Sequence, residues 1–276
     1  MSFNITVNKT HNVSGAQYKY KLGRNQDLSD LEIALASATI PFSWFNITQA
    51  LNNNSFQLIH PTTAGSTTLT INLQNGGYNV EDLDTAMRVS LINQGYYIQN
   101  NTTLEQRVYA KIQVNPATYQ IQLVSYNMET SLPSGWSAGS AITFPASTRG
   151  PQFVFSNNIT TRLGFSVGTH PSIAPTTLTI TNSTKIPVIS DVTNIMILLD
   201  SAYNPYSQNN QVLTSISPAG ISFGRLISFN APEFIFTPQQ SGARNELTFR
   251  LTDQFFRELN LVDNDIVLNL VIRKKN

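Results

Sequence analysis

The chain has 276 residues, of which 41% are hydrophobic and only 12% are charged, and its formal net charge is +1. This length suffices for one large domain or for a domain with a sizeable insertion, and the hydrophobic share excludes a disordered chain. The near-zero net charge excludes a global basic field that would hold nucleic acid non-specifically. The absence of cysteine excludes disulfides, thiolate metal sites and cysteine nucleophiles.

The low charge fits two kinds of protein. Because charged residues reach only about half of their usual share of roughly 25%, the polar surface must be built from Asn, Gln, Ser and Thr. Charge is depleted at interface cores, where its desolvation is costly, so the composition favours a chain that packs against neighbours. A secreted binding module can have the same composition, and composition alone does not separate the two.

The sequence pattern predicts neither a signal peptide nor a membrane span. The first twenty residues lack the basic-then-apolar pattern of a signal peptide, and the longest apolar stretch, near Ile195–Leu199, is too short to span a bilayer. We therefore expect a protein made in the cytosol without a membrane span. The one basic run, Arg273, Lys274 and Lys275, is interpreted as a solvated tail; contact with DNA or with an acidic partner is the alternative.

The first half of the chain consists of short apolar or alternating runs, which predict antiparallel strands. The segment Leu31–Pro41 alternates cleanly and ends at a proline, which cannot donate to a sheet. The Gly65-containing loop joins two runs into a hairpin, and the turn Asn115-Pro116-Ala117 joins two more. The predicted strands are Phe3–Val7, Leu31–Pro41, Phe56–Ile59, Leu69–Leu73, Tyr109–Val114 and Tyr119–Tyr126.

One segment between these hairpins predicts a helix. Asn79 is placed to cap it, with Asp82 three residues further on. The apolar residues Val80, Leu83, Met87 and Leu91 recur at helical spacing and share one face, and Gly95 ends the segment. Hairpin, helix and hairpin together form a ββαββ unit over roughly 51–128, which we expect to be one sheet with the helix covering its apolar face.

The second half predicts strands separated by polar turns and no further convincing helix. The predicted strands are 177–181, 194–199, 211–216, 226–229, 234–236, 247–251 and 266–272. The fold class is therefore mainly all-β: a single jelly-roll sandwich with an inserted α+β subdomain. The expected boundaries are 1–50 and 166–276 for the jelly-roll domain and 51–165 for the insertion, which includes a Pro-, Gly- and Ser-rich loop over 131–150.

Several segments, taken in order, resemble one family. They are LASATIPFSWFNIT (35–48), NNNSFQLI (52–59), TLTINLQNGGYNVEDL (68–83), RLGF (162–165) and the closing stretch 246–276. Together they resemble the minor capsid, or penton, proteins of virophages and Polinton-like DNA viruses. The resemblance implies a single jelly roll with strands roughly perpendicular to the capsid surface. It also implies a homopentamer at each five-fold vertex, bordered by trimers of a double-jelly-roll major capsid protein, with the insertion facing outwards.

The sequence offers no catalytic fingerprint, and the family offers no active-site residues. His11, His60 and His170 are scattered and lack metal-ligand spacing. No G-x-S-x-G elbow occurs, and Gly76-Gly77 lacks the Lys-Ser/Thr of a phosphate loop. We therefore expect no enzyme activity, no cofactor and no metal.

Two groups of acidic residues have structural explanations. Glu81, Asp82 and Asp84 lie at the start of the predicted helix, where carboxylates are favoured. Asp263 and Asp265 lie between two strands, where an Asx turn is favoured over a cation site. Neither group predicts chemistry.

The sequence thus predicts a geometric function: a virion protein that closes capsid vertices and is assembled in the host cytoplasm or a viral factory. Trp44 and Phe45 are candidate interface anchors, although core packing is the favoured role for both. One alternative is a receptor- or glycan-binding module that reads its ligand through the insertion. The second is a β-sandwich glycoside hydrolase, which needs only two distant carboxylates; scattered tyrosines and Trp136 would supply a sugar platform.

Overall fold

The computed structural model describes residues 2–275, with 43% of the chain in strands and 8% in helices. The predicted all-β class is therefore confirmed. The helical segments are a 3-10 turn (Lys9–His11), α1 (Val80–Asn93) and α2 (Ile159–Leu163). The strands up to the middle of the chain are β1 (Ser2–Asn8), β2 (Asn12–Ser14), β3 (Gln17–Asp27), β4 (Leu31–Pro41), β5 (Ser55–Thr62), β6 (Gly65–Asn72), β7 (Ile98–Asn100), β8 (Gln106–Arg107), β9 (Ala110–Val114) and β10 (Ile121–Ser125). The remaining strands are β11 (Trp136–Ala138), β12 (Gln152–Phe155), β13 (Gly168–His170), β14 (Thr179–Asn182), β15 (Ile195–Leu199), β16 (Val212–Ile216), β17 (Leu226–Asn230), β18 (Thr237–Pro238), β19 (Ala243–Thr252) and β20 (Val267–Lys274).

The chain forms two compact units. The sandwich unit consists of the residues up to Trp44 together with those from Val192 onwards, and the inserted unit consists of Phe45–Asp191. The sequence analysis placed the second boundary at 165/166, whereas the structure has it after Asp191. The difference arises because β13 and β14 pair with β12 and β10, which are strands of the inserted unit.

The sandwich unit is a jelly roll by its strand order. One sheet has the order β1-β20-β4-β17, with β18 also paired to β4, and the other has the order β16-β15-β19-β3-β2. When the eight principal strands are counted along the chain, the first sheet contains strands 1, 8, 3 and 6 and the second contains 5, 4, 7 and 2. This alternation between two antiparallel sheets is the double Greek key of a jelly roll. The inserted unit lies in the chain between β4 and β15, so it interrupts the connection between the third and fourth principal strands.

The core of the sandwich unit lies between its two sheets. Side chains alternate along each strand, so every second residue of β1, β4, β19 and β20 points inwards. Because β1 and β20 pair in register, Ile5 lies beside Leu270 and Val7 beside Leu268. The largest fully buried side chains of this core are Tyr18, Phe249, Ile33 and Ile40. A cysteine-free chain thus relies on apolar packing over both sheets.

The structure corrects two strand predictions in the sandwich unit. The predicted strands do not include Gln17–Asp27, but this segment forms β3 and pairs with β19 over much of its length. Its alternation is weak because only Tyr18 is fully buried and the outward positions carry long polar side chains. Conversely, 234–236 was predicted as a strand and is an exposed loop that precedes the two-residue strand β18.

The inserted unit contains three small sheets and α1. Their strand orders are β13-β12-β5-β6, β14-β10-β9 and β11-β7-β8. The predicted hairpins β5–β6 and β9–β10 are confirmed, but the prediction that both belong to one sheet was wrong. Each hairpin gains its partners from later in the chain, β12 and β14, which the sequence pattern did not assign to them. The predicted loop over 131–150 also contains β11, which pairs with β7.

Helix α1 forms as the sequence predicts. The Asn79 side chain accepts from the Asp82 amide at 2.8 Å, and the Asp82 carboxylate accepts from the Asn79 amide at 3.0 Å. This capping box satisfies two amides that the first helical turn leaves unpaired. The four predicted apolar residues are all buried, and they join the core of the inserted unit: Val80, Leu83, Met87 and Leu91. Within residues 2–275, no helix combines the length and apolar character needed to cross a membrane.

The segment Arg162–Phe165 turns the chain sharply at the end of α2. Gly164 has a φ of +76°, and a side-chain carbon placed there would lie 2.3 Å from the Lys185 carbonyl oxygen. The Gly164 carbonyl accepts from the amides of Thr184 and Lys185. Glycine is required at this position because both the left-handed backbone and the close approach exclude a Cβ.

Candidate functional site

The outer face of the sheet β1-β20-β4-β17 is almost free of charge. Alternation with the buried residues of each strand identifies the side chains that point outwards. Strand by strand these are Asn4, Thr6 and Asn8; Val267, Asn269 and Val271; Ser37 and Thr39; and Leu226, Ser228 and Asn230. We call this surface the uncharged sheet face.

A row of hydrogen bonds crosses the uncharged sheet face from strand to strand. Thr6 Oγ1 donates to Asn269 Oδ1 at 2.8 Å, and Asn269 Nδ2 donates to Ser37 Oγ at 2.9 Å. The three side chains therefore satisfy much of their hydrogen-bonding capacity among themselves. A face whose polar groups are already paired costs less to desolvate when another surface covers it.

The charged residues at one end of this face neutralise each other. The Arg273 guanidinium pairs with the Glu32 carboxylate and lies 3.6 Å from the centre of the Phe236 ring. Phe236 in turn packs edge-on against Phe234 at 6.2 Å. The loop before β18 thus folds over the ion pair. The two opposite charges lie side by side and largely cancel each other.

The outer face of the second sheet differs sharply in charge. Lys19 and Lys21 of β3 and Glu246 and Arg250 of β19 occupy its outward positions, alternating with buried residues of the core. Lys19 Nζ pairs with Glu246 at 2.9 Å, and Arg250 Nη2 donates to Gln211 at 2.7 Å. We call this surface the charged sheet face.

Large apolar side chains are exposed along one edge of the uncharged sheet face. Strands β17 and β18 both pair with the same edge of β4, and the loops that flank them carry the exposed groups. Leu226 is 58% exposed and Ile235 is 77% exposed, with Phe223 and Phe234 also exposed. We call these four residues the apolar edge. Phe223 and Leu226 lie near the Pro41 end of β4, and Phe234 and Ile235 lie before the strand that pairs with Ile33, so the exposed apolar groups are spaced along this edge.

The sequence analysis missed the apolar edge for an identifiable reason. The run Phe234–Phe236 was assigned to a strand because short apolar runs usually are buried. Only the flanking residues indicate that this run is exposed, because it lies between the turn at Pro232 and the proline of β18. Exposure of such a run depends on tertiary structure, which a local pattern does not contain.

Of the two predicted interface anchors, the structure buries Trp44 and leaves Phe45 partly exposed. Trp44 is 4% exposed and belongs to the core of the sandwich unit, where its ring stacks on Phe42 at 4.3 Å. Phe45, the first residue of the inserted unit, is partly exposed. Trp44 therefore has the packing role that the sequence favoured, and the apolar edge offers the accessible side chains.

The predicted basic tail is largely tied to the sandwich unit. Arg273 is engaged with Glu32 and Phe236, as described above. Lys275 donates its backbone amide to the Asp30 carbonyl at 2.8 Å and its ammonium to the Ser29 carbonyl. Lys274 is exposed. The tail is thus fixed against the turn between β3 and β4.

The inserted unit contains an open cleft of about 480 Å³. Helix α1 contributes Arg88, the start of β9 contributes Lys111, and the segment after β10 contributes Tyr126 and Asn127. One wall is formed by Arg107, whose guanidinium lies over the Tyr109 ring at 5.0 Å and over the Trp136 ring at 5.4 Å.

This wall is held together by a hydrogen-bonded triad. Arg107 pairs with one Glu129 oxygen, and Tyr109 Oη donates to the other at 2.7 Å. Burial raises the pKa of Tyr109 to about 12, and the bond to Glu129 adds to the rise. Burial also acts to raise the pKa of Glu129, but hydrogen bonds from Tyr109 and Arg107 outweigh it and hold that pKa below its usual value. Glu129 is therefore an ionised wall residue, whereas a glycosidase acid needs a raised pKa.

Of the acidic residues that the sequence explained structurally, Asp82 and Asp263 have the predicted geometry, whereas Asp84 lies beyond the first turn of α1. Asp82 caps α1, and Asp263 Oδ1 accepts from the Asp265 amide at 2.9 Å in an Asx turn. Asp84 is buried and accepts from the Ile112 amide at 2.7 Å. Among residues 2–275 there is no cluster of three or more His, Asp or Glu side chains that could hold a metal ion.

No family model matches the chain, and no curated protein matches it. Among solved structures, the chain is similar to the mavirus penton protein, with 10% sequence identity, a TM-score of 0.48, and 99% of each chain covered. The jelly roll of the sandwich unit is established by its strand order.

Proposed function

We propose that this chain is a penton-type minor capsid protein, five copies of which form a ring that closes a five-fold vertex of an icosahedral capsid. The observation that carries the proposal is the uncharged sheet face. Burying an unpaired charge in an interface costs several kcal/mol, and this face presents only one ion pair. A second copy of the chain is the occupant that we propose for it.

The dimensions of the surface support a contact between protein copies. Four strands about 4.8 Å apart and about eight residues long give a face of roughly 19 by 26 Å. This is about 500 Å², and the apolar edge extends it towards the roughly 800 Å² per partner of a standard interface. A ring needs two different complementary patches on each subunit. The uncharged sheet face with the apolar edge is one of them.

The remaining parts of the proposal come from the family resemblance. The ring would be surrounded by trimers of a double-jelly-roll major capsid protein, and the inserted unit would face outwards. The protein would be located in the virion and assembled in the host cytoplasm or a viral factory. Contact of the exposed Lys274 with packaged nucleic acid stays a prediction.

Native mass spectrometry and cryo-microscopy test the proposal together. The purified chain should assemble, in a concentration-dependent manner, to five times its own 30.5 kDa. In a reconstruction of virus particles that contain the chain, the jelly roll should fit the density at the five-fold vertices. A protein that stays monomeric at all accessible concentrations, together with vertex density that belongs to another chain, would refute it.

The cleft in the inserted unit favours a second function, recognition of a receptor or glycan, in the same molecule. Such recognition is compatible with a capsid role because it would use a different unit of the chain.

A further inference from the structure

We infer that the cleft of the inserted unit binds a short oligosaccharide that carries a carboxylate. This inference concerns a different unit from the proposed ring contact and does not rest on it. Three features carry it: two uncompensated cations, a pre-formed wall, and a lining of amide and aromatic groups.

The two cations are Arg88 of α1 and Lys111 of β9. Neither side chain makes a hydrogen bond or an ion pair within the described part of the chain. Both act electrostatically on the buried Asp84 carboxylate, which is itself bound to the Ile112 amide. Asp84 thus lies at the junction of the helix and the strand that carry the cations. Their charged groups line the cleft and are available to an anion.

The third cation of the cleft is already neutralised. Arg107 is bound by Glu129 and Tyr109 and stacked between two aromatic rings, so it forms a fixed wall and carries no spare charge. Glu105 also lines the cleft and is exposed. Among the side chains that line the cleft, Arg88 and Lys111 exceed Glu105 by one positive charge, since the buried Asp84 that lies within range of both cations is not part of the lining. This excess suits a ligand with a single carboxylate.

The remaining lining fits a sugar better than a bare anion. Gln106 and Asn127 present amide groups, which donate to and accept from hydroxyls. Glu105 can accept from a further sugar hydroxyl. Tyr126 is exposed at the same place and offers a ring face for a pyranose. A volume of about 480 Å³ lies within the range of small-molecule sites and has room for two or three sugar rings.

Saturation-transfer NMR and calorimetry on the full chain test this inference with four probes. These are 3′-sialyllactose, an unsulfated disaccharide that contains glucuronic acid, lactose, and inorganic phosphate. We expect at least one of the two acidic saccharides to bind, and to bind at least tenfold more tightly than lactose or phosphate. The two acidic probes distinguish sialic acid from a uronic acid as the source of the carboxylate.

Variants assign the binding to the cleft. Arg88→Gln and Lys111→Gln should each weaken binding about tenfold or more, because each removes a charge-assisted hydrogen bond. Lys111→Arg, which keeps the charge, should retain binding, and Arg24→Gln on exposed β3 of the sandwich unit is the matched control. Equal binding of lactose or phosphate, no binding of either acidic probe at 10 mM, or unchanged affinity in both Gln variants would overturn the inference. If the protein binds an acidic saccharide but never forms a ring, the proposed ring is refuted and the inferred binding site stands.

Discussion

The two outer faces of the jelly roll are built from strands of similar length, yet one carries several charged side chains and the other almost none. The charged sheet face carries Lys19, Lys21, Glu246 and Arg250 at its outward positions. The uncharged sheet face has Asn, Ser, Thr and Val at the equivalent positions, with one ion pair at its end. The low charge of the chain is therefore not spread evenly over its surface. The outward positions of one face carry almost no charge, whereas those of the other face carry several charged side chains. This is the pattern expected where one surface is covered and the other meets water.

The largest effect is expected from placing a charge on the uncharged sheet face. Thr39→Glu introduces a carboxylate between Ser228 and Val267, its neighbours on the adjoining strands. A carboxylate without a partner in a covered surface costs several kcal/mol, so assembly should weaken at least a hundredfold by native mass spectrometry.

The charged sheet face provides the matched control for this variant. Thr248 also points outwards, in the middle of β19, and its neighbour on β3 is Lys19. Thr248→Glu should leave assembly unchanged, since it adds a charge to a face that already carries charged side chains and is expected to meet water. Equal loss of assembly in both variants, or in neither, would show that the two faces do not differ in function.

Acidification is the second test. It probes the folding stability of the inserted unit and does not depend on assembly. His60 is buried, its Nδ1 lies 3.0 Å from the Pro61 carbonyl, and its ring packs edge-on against Tyr96. Burial lowers the pKa of His60 from 6.5 to about 4. The unfolded chain therefore takes up this proton first as the pH falls. The stability contributed by neutral His60 is complete above pH 6.5 and is lost between pH 6.5 and about 4, by about 3 kcal/mol.

Urea unfolding followed at several pH values measures this loss. His60→Phe keeps a ring in the site but cannot be protonated, so the decline in unfolding free energy between pH 6.5 and 4 should shrink by about 3 kcal/mol. An unchanged pH dependence in the variant would show that His60 is not the group responsible.

The strands that form the uncharged sheet face were largely predictable, whereas the face itself was not. Leu31–Pro41 and 266–272 alternate clearly, and the structure confirms both as strands. Their neighbours depend on contacts that are distant in the chain, such as the pairing of Ser2 with Arg273. A local pattern indicates which residues share one side of a strand. It does not indicate that Thr6, Asn269 and Ser37 meet in one row.

The cleft of the inserted unit shows the same limit. Helix α1 and the hairpin β9–β10 were predicted, and they carry Arg88 and Lys111. The wall of the cleft depends on Arg107, Glu129 and Trp136, and two of these lie in short irregular segments without periodicity. Strand β11, which presents Trp136, has three residues and pairs with an equally short strand. Such elements are stabilised by tertiary contacts, so propensity does not reveal them.

The third test removes apolar side chains from the apolar edge. Leu226→Ser combined with Ile235→Ser deletes two aliphatic groups that are more than half exposed in the single chain. Burying them in a contact would contribute about 2 kcal/mol, so the double variant should assemble roughly thirtyfold less well with no loss of thermal stability. Val13→Ser on β2, an exposed apolar residue at the edge of the other sheet, is the control and should assemble normally. The role of the apolar edge fails if the control and the double variant behave alike.

The smallest effect is expected from removing one partner of the ion pair on the uncharged sheet face. This test distinguishes the net charge of the face from a specific role of the ion pair in assembly. Glu32→Gln leaves Arg273 with an uncompensated charge, and because Glu32 is only 14% exposed, the loss should be about 1 kcal/mol in stability and about tenfold in assembly. Glu246→Gln breaks the Lys19 pair on the charged sheet face, where both partners are more than a third exposed, and should change neither measurably. Combining Glu32→Gln with Arg273→Gln removes the pair but restores a neutral face. If neutrality is what matters, assembly of this double variant recovers while its stability stays reduced; if it does not recover, the ion pair has a specific role in the contact.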